Sequence, residues 1–331
     1  MIGRTPLSSF QRLTLLFLSA AVAAGCRGAP TPEAGLTSLR LPMGYLPNVQ
    51  FAPFYIADDQ GFFADEGLAI DFDYSFETDG VALVGANELP FTLASAEQVL
   101  LARAQGLPVV FVMSWWTGFP VAVAAPAGGG IDSPEDLRGK RVGIPLLGGA
   151  SYIGYRALLD ANGLPEDAAA LEVIGFTQVE ALLSGRVDAA VVYVNNEPIQ
   201  LKAQGMPVNV FRVADYVHLA SNGLVTNEAT LRDHPDLVRR MVAATLRGVE
   251  AALADPEIAF QTCKTYVEGL DQAEENVQRA VLAASMEFWK TDRPGFSDPT
   301  AWQNMQDLLV RMGLLSAPLE LDRAYRNEFL P

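Results

Sequence analysis

From Leu39 onward the chain alternates short apolar runs with longer stretches of helical spacing, and this alternation constrains the fold more than any other feature of the sequence. Leu39-Arg40-Leu41-Pro42-Met43-Gly44-Tyr45 reads as a strand that breaks into a loop at Pro47. Residues 54–66 follow with helical spacing and stop at Gly67, and residues 69–74 alternate like a second strand. Residues 88–91 and 109–112 read as further short strands, with 97–105 helical between them. A second unit opens near Ile131: Ser133-Pro134 reads as a helix start, Arg141-Val142-Gly143-Ile144 as a buried strand, and Gly148-Gly149-Ala150-Ser151 as the lead into another helix. Residues 171–193 continue the alternation, and beyond Glu228 the pattern is helical to the end. These features predict an α/β layered fold.

At 331 residues the chain is long enough for two ordinary cores. The crossings are expected at the Gly-rich stretch 126–130 and near 215–223. One lobe is then discontinuous, 39–127 plus 220–331, and the other, 128–219, is inserted into it. Two lobes joined by two segments leave a cleft, where small ligands bind, with hinge closure around them.

The start of the chain has a different character. Arg4 and Arg12 precede an apolar stretch, 13–24, that is too short for a comfortable membrane span and fits a signal peptide over 1–25. Ala23-Ala24-Gly25-Cys26 resembles the bacterial lipobox, with Ala23 where Leu is usual, which implies acylation of Cys26 and a lipid anchor at the cell membrane. An ordinary signal peptide cleaved near Ala24 is the plainer alternative. Residues 26–38, rich in Gly, Pro, Thr and Ala, suit a flexible tether. A formal net charge of −16 argues against nucleic-acid binding, and two cysteines with two histidines make neither a disulfide framework nor a metal centre.

Several motifs carry a family resemblance. Gly44-Tyr45-Leu46-Pro47-Asn48, Ala52-Pro53-Phe54-Tyr55-Ile56-Ala57 and Gly61-Phe62-Phe63-Ala64-Asp65-Glu66-Gly67-Leu68 resemble the opening of the NMT1/THI5-like solute-binding proteins. Leu137-Arg138-Gly139-Lys140-Arg141-Val142-Gly143-Ile144 and Leu183-Ser184-Gly185-Arg186-Val187-Asp188-Ala189-Ala190 are similar to the later signatures of that family. The resemblance implies a type II periplasmic-binding-protein fold, a partner ABC importer made of permease and ATPase, and no catalysis. Phe76-Glu77, the segment 98–108, Trp115-Trp116 and the segment 149–154 look most like the riboflavin-binding lipoproteins of the family. That implies riboflavin as transported ligand, with no cofactor or metal. Binders of a thiamine pyrimidine precursor, of hydroxymethylpyrimidine or formylaminopyrimidine type, are near neighbours. Sulfonate and nitrate binders are a further alternative. Fungal pyrimidine synthases need a cysteine-rich iron motif, and Cys263 is the only cysteine beyond the leader.

Candidate site residues follow from strand-end placement. Trp115 and Trp116 come just after a buried strand and can stack on a flat heteroaromatic ring, or one can simply cover the core edge. Asn48, Gln50, Phe51 and Tyr55 line the first strand-to-helix loop, where ordinary loop chemistry is the alternative. Glu77 can accept a ring N–H or a hydroxyl, or be a solvated surface acid. Ser95 reads as site residue or as N-cap, with Gln98 completing a capping box. Ser151 and Tyr152 stand at a helix start able to hold hydroxyls or an anion, or merely to cap. Tyr193, Asn195 and Glu197 end a later strand, and Asn222 near the second crossing is ligand or hinge.

Overall fold

A computed structural model describes residues 35–331. The expected signal peptide, the lipidation site Cys26 and most of the expected tether lie outside these residues. The last two tether residues, Thr37 and Ser38, already belong to the first strand.

Among the described residues, ten strands form three sheets. They are β1 (Thr37–Gly44), β2 (Leu68–Phe76), β3 (Thr92–Ser95), β4 (Val109–Ser114), β5 (Val121–Pro126), β6 (Arg141–Ile144), β7 (Ala170–Val173), β8 (Ala189–Tyr193), β9 (Val208–Arg212) and β10 (Asn222–Asn227). The helices between β1 and β5 are α1 (Ala52–Asp59), α2 (Phe62–Asp65), α3 (Glu77–Gly85) and α4 (Ala96–Ala104). Those between β6 and β9 are α5 (Gly149–Ala161), α6 (Gln178–Leu183) and α7 (Glu197–Ala203). After β10 come α8 (Glu228–Asp233), α9 (Pro235–Ala254), α10 (Pro256–Tyr266), α11 (Glu275–Met286), α12 (Pro299–Arg311) and α13 (Leu321–Ala324).

β1 and β2 pair in parallel, β10 runs antiparallel between β3 and β4, and β7-β6-β8-β5-β9 form a five-stranded mixed sheet. The first two sheets adjoin, because the Thr92 hydroxyl donates to the Pro42 carbonyl at 3.2 Å. The interior strand β5 is apolar throughout, as a strand covered on both faces requires: Ala122, Val123, Ala124 and Ala125 are wholly buried.

The first crossing differs from the expectation. The expected boundary puts Val121 to Pro126 in the discontinuous lobe, yet β5 pairs with β8 and β9. The chain therefore passes between sheets through Trp115–Pro120, and the Gly-rich stretch 126–130 is a surface turn, with Gly128 and Gly130 at positive φ. The return passes through 213–221. Residues 88–91 precede β3 rather than forming it, and the single helix expected over 54–66 is two, broken at Gly61 with φ 75°. One apolar cluster runs from α4 and β4 through α5 and β5 to α12, so packed side chains as well as the two crossings join the sheets.

Candidate functional site

Loops at the carboxyl ends of β1, β2, β4, β6, β7 and β8 converge on one cleft between the sheets, enclosing about 1000 Å³ of space with its open mouth included. Its walls are aromatic. Tyr45 and Phe76, from the β1–β2 side, meet Phe176 from the opposite sheet: Tyr45 presents edge to face at 4.8 Å and 87°, and Phe76 stacks at 6.3 Å and 26°. Trp115 and Trp116 stack on each other at 5.6 Å, and Trp116 also lies against Phe288 at 4.7 Å and Tyr193 at 5.9 Å. Both indoles line the cleft but are only 6% and 2% exposed, so most of their faces are spent on protein. Phe76, at 54% exposed, offers far more open ring.

The polar lining consists of amides, hydroxyls and carboxylates: Gln50, Gln178, Asn196, Asn222, Tyr193, Glu77 and Glu197 are among them, and among the described residues no Lys, Arg or His takes part. Glu197 accepts the Tyr193 backbone N–H at 2.9 Å and the Asn196 amide at 3.1 Å, and burial raises its pKa above the ordinary carboxylate value. Burial, with the Glu197 charge adding to it, pushes the Tyr45 phenol up. Burial, followed by the charge of Glu77, pushes the Tyr193 phenol well above its usual range.

Behind Tyr193 sits a buried acid cluster. The Ser95 backbone N–H donates to Glu77 Oε1, and the Ser95 hydroxyl lies within hydrogen-bonding reach of both Glu77 Oε1 and Glu97 Oε1. A hydroxyl carries one hydrogen, so it donates to one carboxyl and accepts from the other, which must be protonated. Glu97 is wholly buried and its Oε2 has no partner, whereas Glu77 receives the backbone N–H. The shared proton therefore sits on Glu97. Burial, then the Glu77 charge, raises the pKa of Glu97, and burial raises that of Glu77.

The structure places nine of the candidate residues on the cleft: Gln50, Phe51, Glu77, Trp115, Trp116, Ser151, Tyr193, Glu197 and Asn222. It places five elsewhere. Asn48 caps the short turn Val49–Phe51, accepting the Gln50 N–H at 3.0 Å. Tyr55 is wholly buried, stacked on Tyr266 at 4.7 Å with its hydroxyl 2.9 Å from that of Tyr74. Ser95 bridges the two acids from behind and makes no capping bond to α4, so the capping-box alternative fails as well. Tyr152 points away to Arg156 and Glu166. Asn195 is buried, its amide donating to Ser285 at 2.9 Å. Lining residues outside the candidate set include Tyr45, Phe76, Phe176 and Gln178. Strand-end position was the signal available for Phe76, the last residue of β2, and Phe176, which closely follows β7.

Residues 48–259, well over half of the chain, match the family profile described as NMT1/THI5 like. The chain belongs to the NMT1/THI5-like family. Among curated relatives, the riboflavin-binding protein RibY of Chloroflexus aurantiacus is 39% identical, over 93% of this chain and 91% of its own length. The formylaminopyrimidine-binding protein of Halalkalibacterium halodurans is 27% identical, over 97% of this chain and 99% of its own. Among solved structures, the alkanesulfonate-binding protein SsuA of Xanthomonas axonopodis pv. citri superposes with a TM-score of 0.70 at 15% identity, covering 89% of this chain and 100% of that one. The fold is that of the two-lobed periplasmic binding proteins, as the sequence implied. Among the described residues, no group of three or more His, Cys, Asp or Glu could hold a metal ion, and no helix is long and apolar enough to cross a membrane.

Proposed function

We propose that this NMT1/THI5-like protein captures riboflavin in the cleft and delivers it unchanged to the permease and ATPase of an ABC importer. The observation that carries the reading is an aromatic slot whose polar groups, among the described residues, are amides, hydroxyls and carboxylates without a cation. A flat tricyclic ring enters between the Tyr45–Phe76–Phe176 wall and the tryptophan side, gaining about 25 cal/mol per Å² of apolar area buried and about 0.5–1.5 kcal/mol for each aromatic contact. Glu197, Gln178 and the other acceptors take its ring N–H and the side-chain hydroxyls. The 39% identity to a protein named for riboflavin binding supports the same ligand. Export and anchoring through an acylated Cys26 complete the reading, since a tethered binder stays within reach of its permease.

The test is a flavin-fluorescence titration of the full chain carrying Cys26→Ser, which blocks acylation. Saturable one-to-one quenching by micromolar riboflavin is expected, weakened roughly tenfold or more by Phe76→Ala or Trp116→Ala, the loss of one or two aromatic contacts. Absence of quenching at that concentration sinks riboflavin. The carboxylate–amide pair Glu197–Asn196 also suits an aminopyrimidine edge, and the relative named for formylaminopyrimidine makes that precursor the second ligand to titrate.

A further inference from the structure

α5, with 13 residues, points its N-terminus into the cleft, where Gly148, Gly149, Ala150 and Ser151 line the wall. The first backbone N–H groups of a helix have no partner within it, and together with the helix dipole they make this the place where an anion would bind. Here the position faces a carboxylate of the opposite lobe. Glu77 is anchored through Oε1 to Ser95, and its Oε2 reaches across the cleft to lie 3.8 Å from where a Cβ on Gly149 would stand. No hydrogen bond joins the two, so the charge stands over the helix end without closing it. Among the described residues no basic side chain lines the cleft to offset this charge, and Glu197 adds a second acid to the wall.

We propose that Glu77 determines specificity by holding a negative charge over the N-terminus of α5, so that the cleft accepts uncharged ligands and rejects their phosphorylated or sulfonated counterparts. The inference rests on the riboflavin reading for its natural ligand, and the helix-end geometry stands without it. For that vitamin, the protein takes the free alcohol and refuses the 5′-phosphate ester. Ser95 positions the carboxylate: its N–H and O–H fix Oε1, and Glu97, neutral behind it, leaves the charge on Glu77.

The experiment compares riboflavin with riboflavin 5′-phosphate by fluorescence quenching, using the full Cys26→Ser chain, with and without Glu77→Gln. Thermal melting checks that each variant is folded. Two like charges a few ångströms apart in a partly buried cleft separate the two affinities by on the order of tenfold or more. The expected result is a wild-type preference of that size for the free alcohol, reduced severalfold in Glu77→Gln. Glu77→Asp, which keeps the charge but withdraws it by one methylene, is expected to fall between. Equal wild-type affinity for the two flavins, or a ratio unchanged in Glu77→Gln, overturns the proposal. A second readout needs no flavin: melting in rising sulfate against chloride at constant ionic strength. Saturable stabilisation by sulfate in Glu77→Gln but not in wild type supports the role of Glu77, and identical responses overturn it. If neither flavin quenches, the riboflavin reading fails and the sulfate comparison still decides the proposal.

Discussion

Glu97 offers a stability test with a sign that cannot be mistaken. Its carboxyl is wholly buried, shares Ser95 with Glu77 and leaves Oε2 unpartnered, and burial plus the neighbouring charge raises its pKa from 4.5 to about 8. A carboxyl with a raised folded-state pKa keeps its proton in the native protein after the unfolded chain has lost it. Stability from this group is therefore full below about pH 4.5 and falls as pH rises, until the folded group ionises near pH 8. One pKa unit is about 1.4 kcal/mol, so even a shift shared with Glu77 amounts to roughly 3 kcal/mol across that window. For a chain of this size that is roughly 5–10 °C in melting temperature. Surface acids with lowered pKa values, such as Asp188 and Glu228, have made their contribution by about pH 5 and do not oppose the trend. Calorimetry between pH 5 and pH 8 is expected to show the wild type losing stability. Glu97→Gln is expected to show a shallower slope, because its amide donates to Ser95 as the protonated acid does, and to be the more stable of the two at pH 8. Glu77 and Glu197, raised in the same direction, keep the remaining slope from vanishing. A Glu97→Gln slope as steep as the wild type's would refute a protonated Glu97.

Gly248 on α9 meets α1 so closely that a Cβ would stand 2.0 Å from the Pro53 carbonyl oxygen, so Gly248→Ala is expected to lower chemical-denaturation stability by about 1–3 kcal/mol. Ligand affinity in the folded fraction should not change, since neither residue lines the cleft. Tyr55→Phe removes a hydroxyl pair 2.9 Å apart in the core and is expected to cost about 1 kcal/mol of stability while leaving riboflavin titration curves superimposable. Cys263 is wholly buried and its thiol is pushed up to about 12, so in the Cys26→Ser chain a thiol reagent at pH 8 should react only on unfolding. Rapid labelling of the native protein would contradict that burial.

The alternation of apolar runs made the layered fold legible, because a strand's length and a helix's spacing are local properties. Which sheet a strand joins is not local. Val121 to Ala125 is equally apolar whether it completes the first body or the second, and only its partners β8 and β9 assign it. The same divide runs through the site. Trp115, Trp116, Tyr193 and Glu197 were legible because they end or follow strands, and the carboxyl ends of strands are where such sheets bind ligands. Tyr55, one helical turn into α1, follows the same loop but points into the core, because rotation about a helix axis decides which side a residue faces. Phe76 ends a strand and Phe176 follows one, yet their contact joins two bodies far apart in sequence, and no spacing announces such a pairing. Ser95 read as a helix cap from its position before α4, but two carboxylates compete for its hydroxyl and leave the helix uncapped.

The tryptophan pair occupies a place that accounts for its burial. Trp115 and Trp116 open the first crossing, and their backbone N–H groups both donate to the Asn222 carbonyl, at 3.1 and 3.3 Å, where the second crossing enters β10. Ser114 and Thr117 on either side donate to Gly295 and Phe288 of the C-terminal segment. The two crossings are thus stitched together at the indoles, and the packing that hides most of each ring also fixes the joint on which the lobes are hung. A residue exposed enough to give its whole face to a ligand would not hold that joint. The division of labour follows: Trp115 and Trp116 form a fixed side of the cleft at its joint, while Tyr45, Phe76 and Phe176 stand on opposite lobes, where separation of the lobes would part them and closure would bring their rings together over a bound one.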